Sequence, residues 1–145
     1  MHELPRQLTV DELAELFEGR TRLVELLAEK DDPLGSADDV IGQLTEAEAR
    51  EALNAHPAIG ARRLSKHSAA EQGEGGHPAV LTELAYLNQV YEEKFGFRFV
   101  VFVNGRPKSE ILTVLQERLD RTREKELETG LRELVAIARD RWAKR

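Results

Sequence analysis

Apolar residues recur at helical spacing along most of this chain. Val10, Leu13, Leu16 and Phe17 fall three or four apart behind Thr9, and Thr9 with Glu12 forms a capping-box pattern, so a first helix is predicted there. Leu23, Leu26 and Leu27 resume the spacing after a break near Gly19, and Asp32-Pro33 followed by Gly35 stops it. Ser36 with Asp39 and Thr45 with Glu48 predict two further helix starts, with Val40, Ile41, Leu44 and Leu53 turned inward. The run ends at His56-Pro57, because proline disfavours the helical conformation in the residue before it. Pro78 suits the first turn of a long helix carrying Val80, Leu81, Leu84, Leu87, Val90 and Tyr91, and Gly96 is its stop. Ile111, Leu112, Leu115 and Leu119 predict another helix. Leu127, Leu131, Leu134, Val135, Ile137, Ala138 and Trp142 predict a last one.

One run breaks the helical pattern. Phe97-Arg98-Phe99-Val100-Val101-Phe102-Val103 is aromatic and β-branched, bounded by Gly96 and Asn104-Gly105, and by propensity alone it is a buried strand. A lone strand has no partner, so it is either a packed extended segment or partly helical. The pattern as a whole predicts an all-α, single-domain helical bundle over 1–145 with one extended segment at 97–103. No internal repeat, linker or low-complexity tract interrupts it.

Composition narrows the function classes. At 145 residues the chain fits one domain that buries roughly two-thirds of the surface its unfolded form exposes. The absence of cysteine excludes disulfides, thiolate metal ligands and a cysteine nucleophile, and it fits a reducing compartment. The net charge of −6 arises from interleaved acidic and basic residues, which argues against nonspecific nucleic-acid binding. No run approaches the roughly 18 apolar residues of a membrane span, and Met1 to Lys30 lacks the pattern of a secretory signal. The expectation is a cytoplasmic protein with neither nucleic-acid nor membrane partners.

Unusual chemistry is concentrated between His56 and Gly76, with His77 beside it; three of the four histidines fall here. His56 lies at a helix C-terminus, where the dipole favours imidazolium and the pKa is expected close enough to neutral for proton transfer in either direction. Ser68-Ala69-Ala70-Glu71-Gln72 offers hydroxyl, carboxylate and amide within about one turn, suited to a heterocycle rich in amides. Ser68-x-x-Glu71 is equally a capping box, and a histidine before proline is equally a structural cap. His67 and Glu71 stand four apart and, with His56 and His77, allow a metal reading, although no fixed metal spacing is present. Arg62, Arg63 and Lys66 form either an anion site or a solvated face.

Three stretches read together resolve part of this. His56-Pro57-x-x-Gly60, Ser68-x-x-Glu71-Gln72 and Leu87-Asn88-x-x-Tyr91-x-x-Lys94-Phe95-Gly96-Phe97-x-Phe99 resemble, in order and approximate spacing, the signatures of 2-oxo-4-hydroxy-4-carboxy-5-ureidoimidazoline (OHCU) decarboxylases. The tail, with Ile111, Arg118-Leu119, Glu124, Glu126 and Ile137-Ala138-x-x-Arg141, is also similar to that family's ending. The segment between His56 and Ser68 is shorter than in animal members, and Gly75-Gly76 stands where an Ala-Gly pair is usual.

The resemblance implies a cofactor-free, all-helical enzyme of urate degradation that removes carbon dioxide from OHCU, a small ureide, and delivers (S)-allantoin. By match of motif, His56 is the acid/base and Glu71 its carboxylate partner. Ser68 and Gln72 bind substrate by hydrogen bonds, Pro57 and the backbone from Phe99 through Val100, Val101 and Phe102 to Val103 contact the ring, and Arg141 reaches in from the last helix. The C-terminal Ala-Lys-Arg carries no peroxisomal address, which again suggests a cytoplasmic enzyme. A homodimer is compatible with the resemblance. The alternatives are a noncatalytic helical interaction module and, more remotely, a hydrolase whose metal is held by His56, His67 and His77.

Overall fold

The computed structural model describes residues 8–57 and 78–144. Seven helices are found there, with no strand among the described residues: α1 (Val10–Phe17), α2 (Arg22–Ala28), α3 (Ala37–Ile41), α4 (Glu46–Ala55), α5 (Pro78–Phe95), α6 (Lys108–Arg118) and α7 (Arg123–Ala143). No described helix is long and apolar enough to cross a membrane.

Local chemistry explains most of the helix starts. Thr9 and Thr45 each accept from the backbone amide three residues on, while Glu12 and Glu48 accept from the threonine amides, completing both capping boxes. Thr21 and Thr122 cap α2 and α7 by the same side-chain bond. Ser36 corrects the expectation. It precedes α3 but makes no capping bond, because its backbone is helical rather than in the extended conformation a capping residue takes. Gly96 ends α5 as expected, in the left-handed conformation with φ +81°.

The 21-residue α7 is the spine. α1, α3 and α4 all pack on it, α2 bridges α1, α3 and α4, and α5 pairs with α6. Leu131, Leu134, Val135, Ile137 and Ala138 form the stripe that meets Leu13, Leu16, Phe17, Leu23, Leu27 and Leu53 in one continuous core. Gly130 lies on that stripe. A Cβ there would come within 3.1 Å of a Leu53 methyl, so glycine permits the close approach of α4 to α7 despite its cost in helix propensity.

The segment 97–103 is extended, and the question of its missing strand partner has a clear answer. Side chains take the place of a neighbouring strand. The Arg98 amide donates to Asn54 Oδ1 (2.9 Å) and the Phe102 amide to Glu133 Oε1 (3.2 Å). Arg118 donates to Val100 O (2.7 Å), and Arg106 donates to Phe102 O (2.6 Å) and Val103 O (3.1 Å). Buried backbone groups need such partners, and α4, α6, α7 and Arg106 of the loop before α6 supply them. Phe97 and Phe99 pack with Tyr91 and Phe95 in an aromatic cluster, ring centroids 4.6 to 6.0 Å apart.

Behind the segment lies a buried charge cluster. The fully buried Glu126 carboxylate accepts from Tyr91 Oη (2.7 Å) and Arg118 Nε (2.7 Å), with Arg121 3.1 Å from its other oxygen. The Arg118 guanidinium sits 4.6 Å from the centre of the Phe99 ring. Burial, more than the adjacent Glu126, pushes the Tyr91 hydroxyl well above its ordinary value.

Candidate active site

α4 delivers His56. Its last turn closes with the His56 amide donating to Leu53 O (3.2 Å), after which His56 turns extended (φ −81°, ψ 136°), as a residue before proline prefers. The side chain is 6% exposed, and its Nδ1 has no hydrogen-bond partner among the described residues. Pro57 follows, half-buried.

Among the described residues, Arg141, Glu18 and Arg98 act electrostatically on this imidazole. Arg141, in the last turn of α7, is buried to 1% side-chain exposure and donates through Nη1 to Leu16 O (2.9 Å), with Glu18 Oε1 3.0 Å away. It is not a solvated charge on an amphipathic face. Glu18 ends α1 in a left-handed conformation (φ 66°), and the next residue, Gly19, lies so close to Ala55 that a Cβ would be 3.1 Å from the alanine methyl. The ends of α1, α4 and α7 therefore converge beside His56. Arg98 closes the other side, donating to His56 O (2.7 Å) and Asn54 O (3.1 Å). It ties the extended segment to the end of α4.

This environment overturns the expectation of a near-neutral histidine. Loss of hydration on burial is the largest effect, the Arg141 and Arg98 charges add to it, and Glu18 opposes them; the pKa falls from 6.5 to about 4. The helix-dipole argument loses to desolvation and two cations. His56 is a neutral imidazole at physiological pH, equipped to accept a proton and, once charged, a strong donor.

The extended segment is more committed than the resemblance implied. Val100 O, Phe102 N, Phe102 O and Val103 O are already bonded to Arg118, Glu133 and Arg106. The amides of Phe99, Val100, Val101 and Val103 and the carbonyls of Phe99 and Val101 make no hydrogen bond among the described residues. Ser68, Glu71 and Gln72, with His67 and His77 of the metal reading, lie outside the described residues. Among the described residues no three His, Asp or Glu side chains come together as metal ligands.

Sequence reasoning missed Glu18, Asn54 and Arg98. Arg98 left a signal as the one charged residue in an apolar run; Glu18 and Asn54 left none, since each ends an ordinary amphipathic helix. A separate groove of about 760 Å³ opens between α3, α4 and α7, lined by Ile41, Leu44, Ala49, Leu127 and Leu131 and rimmed by charges. It uses the N-terminal half of α4 rather than the end that carries His56.

Comparison with known proteins bears on this arrangement. Residues 2–143 match the family described as OHCU decarboxylase. The 2-oxo-4-hydroxy-4-carboxy-5-ureidoimidazoline decarboxylase of Haloferax volcanii is 31% identical over an alignment of 166 positions covering 100% of this chain and 98% of that one. The uric acid degradation bifunctional protein PucL of Bacillus subtilis is 30% identical, covering 99% of this chain and 31% of its own length. The Halalkalicoccus jeotgali decarboxylase is 36% identical over 61% of this chain and 53% of its own. The chain thus spans less than two thirds of these last two relatives. A crystal structure of OHCU decarboxylase in the presence of (S)-allantoin superposes with a TM-score of 0.76 at 27% identity, over 92% of this chain and 96% of that one. The chain belongs to the OHCU decarboxylase family.

Proposed function

We propose that this protein decarboxylates OHCU to (S)-allantoin in urate degradation, without a cofactor, and that His56 is its acid/base. The observation that carries the reading is the buried imidazole at the junction of α1, α4 and α7, its pKa lowered by lost hydration and by the Arg141 and Arg98 charges. Family membership supplies the reaction.

The chemistry fits such a site. The bond from ring carbon to carboxylate breaks, carbon dioxide leaves, and the bonding pair forms a carbon–carbon double bond while the neighbouring carbon–nitrogen π pair moves onto nitrogen, which takes a proton. The substrate is its own electron sink. The enol that results loses its hydroxyl proton to become a carbonyl and gains a proton on the carbon bearing the ureido group, so one proton is consumed overall. Neutral His56 accepts the hydroxyl proton, and its strongly acidic conjugate acid favours delivery to carbon; delivery from one face sets the product's handedness. Glu71 is proposed to orient His56, while Ser68, Gln72, Pro57 and the unbonded peptide groups at Phe99 and Val101 bind the ureide. Arg141 supplies positive charge toward the anionic substrate.

The experiment generates OHCU in situ from urate, adds chelator-treated protein and follows allantoin optical activity against the spontaneous racemic decay. Faster formation of one enantiomer is expected. His56→Ala should lower the rate by about 10²- to 10⁴-fold with folding intact. Decay that stays spontaneous and racemic in the presence of folded protein would leave the noncatalytic interaction module as the reading.

A further inference from the structure

Arg141 is the bulkiest of the fully buried side chains among the described residues, and its guanidinium needs partners there. Among the described residues, two oxygens from the end of α1 contribute. Leu16 O is one of the last carbonyls of that helix, where the dipole is negative, and it accepts from Arg141 Nη1 at 2.9 Å. The Glu18 carboxylate lies 3.0 Å from the same nitrogen and is itself only 9% exposed. To place it, Glu18 takes the left-handed conformation that glycine usually occupies, although Gly19 is the next residue. A glutamate with φ 66° at a helix end next to glycine is an uncommon choice, and the side chain it directs points to the arginine beside His56.

We infer that Glu18 is a positioning residue of the catalytic site: it fixes the Arg141 guanidinium at the meeting of α1, α4 and α7 and sets the net charge that His56 experiences. The inference rests on the assignment of His56 as acid/base given above. The charged groups acting on His56 come from each converging element: Glu18 after α1, Arg141 on α7 and Arg98 on the extended segment. Among the described residues Glu18 is the one anion of the three; Glu71, the carboxylate partner proposed above, lies outside them. Its carboxylate keeps Arg141 from presenting a full uncompensated charge to the imidazole, so the pair works as a unit. The Tyr91–Glu126–Arg118 cluster has similar chemistry, but its guanidinium is turned to Phe99 and Val100 O.

The test compares His56 imidazole titration, read by NMR, in four full-length proteins: wild type, Glu18→Gln, Arg141→Gln and Glu18→Gln/Arg141→Gln. Glutamine keeps an acceptor for the guanidinium and removes only the charge. Glu18→Gln should move the His56 midpoint below its wild-type position, and Arg141→Gln should move it above. The Arg141→Gln background brings the midpoint into a milder pH range and leaves no buried arginine unpaired, so adding Glu18→Gln there decides the matter even if the single Glu18 variant is unstable. A drop of at least half a pH unit is expected in that background. An unchanged midpoint overturns the inference. In the decarboxylation assay Glu18→Gln should lower kcat/KM at least threefold and move its acid limb to lower pH, whereas Glu18→Asp, which keeps the charge, should restore both. Absence of turnover by the wild type would instead overturn the assignment of the reaction, while the titration would still report whether Glu18 governs His56.

Discussion

Two buried arginine–glutamate pairs stand among the described residues, and their surroundings differ. Arg118 and Glu126 meet at 2.7 Å behind the extended segment, where Tyr91, Arg121, Val100 O and the Phe99 ring complete their surroundings. Arg141 and Glu18 meet at 3.0 Å where three helix ends converge, with a titratable imidazole as the neighbour. The first pair locks backbone. The second lies beside the histidine proposed above as the proton carrier. A buried ion pair is thus no guide to role until what lies next to it is known.

The contrast can be broken by mutation, and the largest stability effect falls on the first pair. Glu126→Ala leaves Arg118 buried without its counter-charge and should destabilise the fold by about 3–5 kcal/mol in denaturant unfolding. A loss below about 1 kcal/mol would show that the cluster does not lock the segment.

The second region should reveal itself through pH. The folded His56 pKa of about 4 lies below the ordinary 6.5, so between those values the unfolded chain binds a proton that the folded chain does not. Stability is therefore full above about pH 6.5 and falls as pH drops toward about 4, by on the order of 3 kcal/mol from this group. His56→Gln, which cannot titrate there, should flatten that slope relative to wild type. Parallel curves would mean that His56 is not held neutral.

The smallest effect belongs to neither pair and serves as a reference. Thr45→Ala removes the side-chain cap of α4, changes no charge in either pair, and should cost about 1 kcal/mol with no change in pH slope, measured by thermal unfolding.

Much of this molecule is written in local pattern. The inward stripe of α7, the capping boxes at Thr9 and Thr45, the stop at Gly96 and the break at His56-Pro57 follow from spacing and backbone preference alone. Arg141 falls on the same stripe as Leu134, Ile137 and Ala138, yet only the family resemblance pointed it inward, because by spacing a charge there reads as a solvated face. Arg118, seven residues after Ile111, was likewise marked only by the resemblance. Asn54 carried no signal, because it stands on an exposed turn of α4 and its partner, the Arg98 amide, is 44 residues away.

The residue sequence by itself determined the all-helical class, the capped starts at Thr9 and Thr45, the stop at Gly96, the unusual run at 97–103 and the family signatures around His56. Each depends on interactions within one or two turns or on the character of a short run. Only the tertiary structure decided that the extended segment is paired by side chains from α4, α6 and α7 instead of by a strand, and that His56 is neutral instead of poised near pH 7. Hydration lost on burial and charges brought from residues 18, 98 and 141 set that proton affinity, and those distances exist only once the chain has folded.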